Sequence, residues 1–204
     1  MVSVTKKDYL IGAVVGVLTG ILALRVFSFL GIDFQFRVLF FLLGIPALWA
    51  SGVWLGGFLG KWISFFNQFG KFAAVGFLGA AIDFSVLNWI SHSTGITAGL
   101  TLGWINIPGF LIAVINNYFW NKLWVFKTPN VLSSVSDILD SFPKFLAVTI
   151  VGLAINSGTI IALTSTSFEF DSQIWLNISK IAANAIALIW NFIGYKYIAF
   201  KKNV

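Results

Sequence analysis

Six runs of about twenty mainly apolar residues follow one another along the chain, at roughly 9–30, 38–60, 72–92, 101–121, 145–166 and 174–195. A helix of about twenty residues crosses the ~30 Å hydrocarbon layer of a bilayer. A chain inside lipid must also satisfy its own backbone N–H and C=O groups, so runs of this length predict helices. The expected fold is an all-α integral membrane protein of about six transmembrane helices. Composition points the same way. The 204 residues are 58% hydrophobic and 10% charged, with a mean hydropathy of +0.92, against about a quarter charged in a soluble domain. So few charges cannot clothe a globule in water, and the surface must face lipid.

The charges fall in alternate gaps. With the N-terminus placed in the cytoplasm, Lys6, Lys7, Lys61, Lys71, Lys122, Lys127, Lys144, Lys196, Lys201 and Lys202 all lie on the cytoplasmic side, while Asp33, Arg37, Glu169 and Asp171 lie outside. This is the positive-inside pattern, and it predicts a multi-pass protein of the cell membrane with both termini cytoplasmic. The net charge of +6 therefore reads as topology and not as a nucleic-acid surface. Lys6 and Lys7 precede the first run as in a signal peptide. That run is long for one, and no small-x-small site follows it, so it is expected to be retained.

Several chemistries are disfavoured. The chain has no cysteine and one histidine, His92, which leaves no disulfide, no thiolate and no histidine-built metal site to expect. It has no phosphate-binding GxxxxGK[ST] and no HExxH. No segment is large enough for a soluble sugar-nucleotide domain. Neither an enzyme nor a cofactor is expected.

Gly12, Gly16 and Gly20 form one GxxxGxxxG run, and Gly52, Gly56 and Gly60 form another. Small residues at this spacing let helix backbones approach closely in lipid. They suit either packing within the first helix pair and bundle or a homodimer interface. Between the fourth and fifth runs, Val131, Leu132, Val135, Ile138, Leu139 and Phe142 recur at helical spacing with Asp137 and Asp140 opposite. This predicts a short amphipathic helix on the cytoplasmic interface, ended by Pro143. It would serve as a connector or as a partner-docking segment.

The chain is also duplicated. Lys71-Phe72-Ala73-Ala74-Val75 aligns with Lys144-Phe145-Leu146-Ala147-Val148, Gly79 with Gly152, and Ile82-Asp83 with Ile155-Asn156. One residue further on in register, Ala113, Asn117, Lys122 and Phe126 align with Ala187, Asn191, Lys196 and Phe200. The repeats, 72–126 and 145–200, hold two helices each. An even number of helices returns the chain to its starting side, so the repeats are parallel.

Polar residues fall at paired intramembrane positions. Asp83 pairs with Asn156 near mid-membrane, Asn117 with Asn191 nearer the cytoplasm, Asn106 with Lys180 in the outer half, and Lys122 with Lys196 at the cytoplasmic boundary. Polar groups in lipid are expensive and mark functional candidates. Accidents would not respect a duplication, so a shared polar seam is expected. Asp83 suits a proton or sugar-hydroxyl site, or a structural pair for Lys180. The asparagines suit a pathway or interhelical hydrogen bonds. The two lysines suit a phosphate or ordinary positive-inside anchors. Trp124 and Phe126 suit an interfacial aromatic belt or a ligand platform.

The two repeat endings, Asn117-Tyr118-Phe119-Trp120-Asn121-Lys122-Leu123-Trp124-Val125-Phe126 and Asn191-Phe192-Ile193-Gly194-Tyr195-Lys196-Tyr197-Ile198-Ala199-Phe200, together with the Lys-Phe openings, resemble the GtrA-like family of small four-helix membrane proteins. The resemblance covers about residues 68–202. It divides the chain into an N-terminal helix pair, 1–67, and a GtrA-like domain, 68–204. Lysine stands where the family ending usually has arginine, a point charge in place of a two-pronged one. The second ending lacks the tryptophan. The resemblance implies a role in cell-envelope polysaccharide or glycolipid synthesis, by flipping a polyprenyl-phosphate-linked sugar across the membrane or by anchoring a polyprenyl-phosphate glycosyltransferase. A small-molecule exporter using Asp83 is a third reading. The candidate substrate-binding residues are Asp83, Asn117, Asn121, Lys122, Trp124, Asn156, Lys180, Asn191 and Lys196.

Overall fold

The computed structural model describes residues 4–29, 31–95, 99–126, 135–164, 182 and 185–201. These residues form six helices, with no strand among them. They are α1, Lys6–Phe29; α2, Arg37–Leu59; α3, Phe66–Thr94; α4, Gly99–Trp120; α5, Val135–Thr164; and α6, Ala185–Ala199. The first three are long and apolar enough to cross a membrane. At 1.5 Å per residue, α4 with its 22 residues is also about 33 Å long. The chain divides into two compact units, Met1–Val125 and Phe126–Val204. The expected division near residue 67 follows the family-like segment. Compactness instead groups the N-terminal helix pair with α3 and α4.

In the first unit, α1 packs on α2 and α3, and α3 packs on α4. Lipid offers no hydrophobic reward for helix association, so close van der Waals contact and hydrogen bonds must hold the helices together. The glycine runs supply that contact within the chain. A Cβ added at Gly12 would lie 3.1 Å from Val53 Cγ2, one at Gly16 would lie 2.5 Å from Pro46 Cα, and one at Gly20 would strike the Phe41 carbonyl oxygen. On the other side of α2, a Cβ at Gly56 would lie 2.7 Å from the Phe66 carbonyl oxygen, and one at Gly70 would lie 2.8 Å from that of Gly52. Trp49 Nε1 donates to Thr19 Oγ1 at 3.2 Å, and Ser85 Oγ donates to the Leu22 carbonyl at 3.1 Å. Of the two readings of the glycine runs, packing between α1, α2 and α3 is the one these contacts carry.

Among the described residues there are three π turns: Phe40–Gly44 within α2, Asn121–Val125 after α4, and Tyr195–Ala199 at the end of α6. The first ends two residues before Pro46, which has no N–H to continue the helical ladder. The other two fall at matching positions of the duplication. They extend α4 and α6 beyond the expected ends at 121 and 195. Wide turns of this kind are uncommon and concentrate at functional sites.

In the second unit, α5 is one helix of 30 residues. The short amphipathic helix expected before the fifth span is not separate, and Pro143 does not end it. Val135 onward is continuous with the span, with Pro143 inside the helix. Proline is tolerated there because only one ladder bond is lost and neighbouring groups can compensate. The expected residues 131–134 of that segment lie outside the described residues.

Phe145 on α5 is fully buried and stacks on Tyr195 of α6, with ring centroids 4.4 Å apart. Thr149 Oγ1 donates to the Phe145 carbonyl at 2.8 Å and shares a 2.7 Å hydrogen bond with the Tyr195 hydroxyl. Trp190 Nε1 donates to the Val148 carbonyl at 3.1 Å. These bonds join α5 to α6 at the end of the pair that carries Lys144 and Lys196.

Candidate functional site

The duplication is visible in side-chain contacts. On α3, a Cβ at Gly79 would strike the amide of Asn117 on α4; on α5, a Cβ at Gly152 would strike the amide of Asn191 on α6. In both pairs the polar side chain occupies the notch left by a glycine on the partner helix. A third contact of this type places Asp83 of α3 against Gly109 of α4, where an added Cβ would lie 2.8 Å from Asp83 Oδ1. Asp83, Asn117 and Asn191 thus sit in the seams of their own helix pairs, half-buried. The side chains of Asn106 and Asn156, and Lys180 with its expected pairing to Asp83, lie outside the described residues.

The seams are not fully satisfied. Among the described residues, Asp83 Oδ1, Asn121 Oδ1 and Asn191 Oδ1 are buried without a hydrogen-bond partner. Buried polar atoms normally find partners, because an unmet one costs about 1–3 kcal/mol. Three acceptors, two of them in glycine notches, therefore present unused capacity toward N–H or O–H donors. A sugar hydroxyl is one such donor.

The lysines at the ends of the two pairs are presented alike. Lys122 and Lys196 both stand in the π turns, half-buried. Lys122 Nζ lies 5.6 Å from the centre of the Tyr118 ring, and Lys196 Nζ lies 5.7 Å from that of Phe192. Each ring belongs to the residue four positions earlier. Lys122 Nζ also donates to the Tyr118 hydroxyl at 3.2 Å. The apolar stem is thereby shielded while the ammonium stays at the helix end, as expected of a lysine at a membrane interface.

Asn121 and Trp124 have inward roles. Asn121 is 1% exposed and donates through Nδ2 to the Asn117 carbonyl at 2.8 Å. Trp124 is buried, and its indole N–H donates to Asp8 Oδ1 at 2.9 Å. The same carboxylate oxygen accepts from Lys71 Nζ at 2.6 Å. Its other oxygen accepts from the Thr5 backbone N–H at 2.7 Å and from the Thr5 hydroxyl at 2.9 Å. Asp8 therefore caps α1 and joins the opening lysine of the first repeat to the tryptophan of its ending.

In the sequence, Asp8 sits beside Lys6 and Lys7 in what looks like a charged flank. The Thr5-x-x-Asp8 spacing does signal a helix start. Nothing local signals a partner at position 71. Gly109 carries no local signal either, since only the packing of α4 on Asp83 gives it a role.

A membrane protein built on a duplicated helix pair, with a further helix pair at its N-terminus, is the class these features define. The profile of the GtrA/DPMS transmembrane domain matches residues 71–200, and the chain belongs to that family. It is 26% identical over 138 residues to a dolichol-phosphate mannosyltransferase of Pyrococcus furiosus, an alignment covering 68% of this chain and 34% of the relative. It is 27% identical over 96 residues to the uncharacterized membrane protein YwcD of Bacillus subtilis, covering 47% of this chain and 70% of that one. The chain thus spans about a third of the length of the mannosyltransferase. No solved structure matches it.

Proposed function

We propose that this protein moves a polyprenyl-phosphate-linked sugar across the cell membrane for envelope polysaccharide or glycolipid synthesis. The observation that carries the reading is the matched presentation of Lys122 and Lys196, each in a π turn and each over an aromatic ring at the end of its helix pair. In this reading both ends are cytoplasmic and the two ammonium groups attract the lipid phosphate as point charges. Asn117, together with Asn191 and Asp83 and their unmet acceptors, then replaces water around the sugar hydroxyls while the polyprenyl tail stays in lipid. Asn156 and Lys180 contribute from the second repeat. Asn121 and Trp124 hold the end of α4 in position. Transport runs down the gradient of the carrier or is coupled to protons through Asp83.

The test is flipping of a polyprenyl-phosphate sugar by the full chain in proteoliposomes. The Lys122→Ala/Lys196→Ala double variant is expected to lose at least tenfold in rate. Wild-type flipping by that variant would remove the phosphate role of the two lysines.

A second reading is a non-transporting anchor for a polyprenyl-phosphate glycosyltransferase. It is supported by the mannosyltransferase relative, in which the similar segment accounts for 34% of the length. Co-purification of a glycosyltransferase with a protein that flips nothing would favour it. A homodimer is compatible with either reading.

A further inference from the structure

Lys71 and Lys144 occupy the same place in the two repeats, at the start of the Lys-Phe opening. Their surroundings differ. Lys71 is 3% exposed, with its ammonium 2.6 Å from Asp8 Oδ1. Asp8 belongs to α1, outside the matched family segment, and Trp124 donates to the same oxygen. An anion approaching Lys71 would have to displace a carboxylate that already compensates its charge and that repels a second negative group. Lys144 is exposed; Asp140 stands four residues before it on α5, also exposed, and among the described residues Lys144 forms no ion pair with it or with any other acid. Its neighbour Phe145 stacks on Tyr195, whose own neighbour is Lys196. The α5–α6 contact therefore sets the helix turn that carries Lys144 beside the one that carries Lys196.

We infer that the two helix pairs are unequal toward anions: α1 takes Lys71 out of anion binding through Asp8, so the first pair keeps only Lys122 for a lipid phosphate, while the second pair offers Lys144 beside Lys196. The inference rests on the polyprenyl-phosphate reading above and deepens it. It assigns the N-terminal helix pair a function, which is to withdraw one of the two duplicated opening lysines from anion binding. An exposed ammonium on a flexible stem suits a phosphomonoester or phosphodiester at a membrane surface, whether on a polyprenyl chain or on a bulk anionic lipid.

The experiment uses the full chain in phosphatidylcholine nanodiscs, with a short-chain polyprenyl phosphate in one arm and phosphatidylglycerol in the other. Lys144→Gln is expected to lower polyprenyl-phosphate affinity at least tenfold. The pair variant Asp8→Asn/Lys71→Gln is expected to stay within twofold of wild type. Because that variant can lose its fold, a second measurement uses the wild type alone. A water-soluble amine-acylating reagent is expected to modify Lys144 and to spare Lys71. Unchanged binding by Lys144→Gln, wild-type binding to neither lipid, or equal labelling of Lys71 and Lys144 would each overturn the inference. Preference for polyprenyl phosphate over phosphatidylglycerol identifies the carrier as the source, and equal binding identifies bulk lipid. A protein that binds through Lys144 but flips nothing keeps this inference and overturns the proposed transport. A protein that flips with Lys144 replaced does the reverse.

Discussion

Lys71 and Asp8, 63 residues apart, form a buried ion pair with Nζ 2.6 Å from Oδ1. A buried pair gains little over an apolar pair of the same shape, because desolvating both charges offsets their attraction. Removing one partner is different, since it strands a charge. Lys71→Met alone is expected to cost about 3–5 kcal/mol. Adding Asp8→Leu should recover part of that loss and no more, since it also removes the acceptor of the Trp124 indole and the cap of α1. Thermal unfolding of the single and double variants in detergent checks this; equal and additive losses would show that the two residues do not act as a pair.

Asn117 against Gly79 and Asn191 against Gly152 make parallel predictions for the two repeats. Gly79→Ala and Gly152→Ala would each drive a methyl into an amide. Overpacking of this kind costs about 1–3 kcal/mol. The loss at Gly79 should shrink when Asn117→Ala opens the space, and the loss at Gly152 should shrink with Asn191→Ala. Full additivity in either double-mutant cycle would mean that the amide does not fill the notch.

In the second unit, Phe145 is fully buried and stacked on Tyr195. Phe145→Ala is expected to destabilise by about 3–5 kcal/mol. Phe145→Leu should cost much less, since it keeps most of the volume. The equilibrium is read by thermal unfolding monitored through tryptophan fluorescence; a Phe145→Ala protein as stable as wild type would contradict the packing described.

Asp83 lies in the α3–α4 seam with one oxygen unmet. Asp83→Asn keeps the shape and removes the proton-carrying group. It is expected to preserve the thermal transition and to lower flipping at least tenfold if transport is proton-linked. A variant that flips at the wild-type rate would leave gradient-driven transport as the energy source.

The helices were legible in the sequence because lipid enforces long apolar runs, and so was the duplication, because Lys71, Gly79 and Asn117 recur as Lys144, Gly152 and Asn191. The use of the glycine runs was left open by sequence. Spacing shows that Gly16 can admit a close neighbour, while only packing shows that the neighbour is Pro46. The continuity of α5 is not legible in the sequence, where Pro143 carries the usual weight of a helix breaker. In a long helix that packs through Phe145 and Thr149, tertiary contact outweighs a single missing N–H. Asp8 was hidden for a simpler reason, since its partners are far away in the chain and its local surroundings are those of any charged flank.

The central claim is that matched helix pairs carry a phosphate-linked sugar across the bilayer. Proteoliposomes loaded on one side with a labelled polyprenyl-phosphate sugar, with the opposite face sampled by an impermeant sugar-oxidising reagent, test it most directly. The account predicts a time-dependent rise in accessible sugar that protein-free liposomes do not show and that Lys122→Ala/Lys196→Ala suppresses at least tenfold. Accessibility rising no faster than in protein-free liposomes would contradict it.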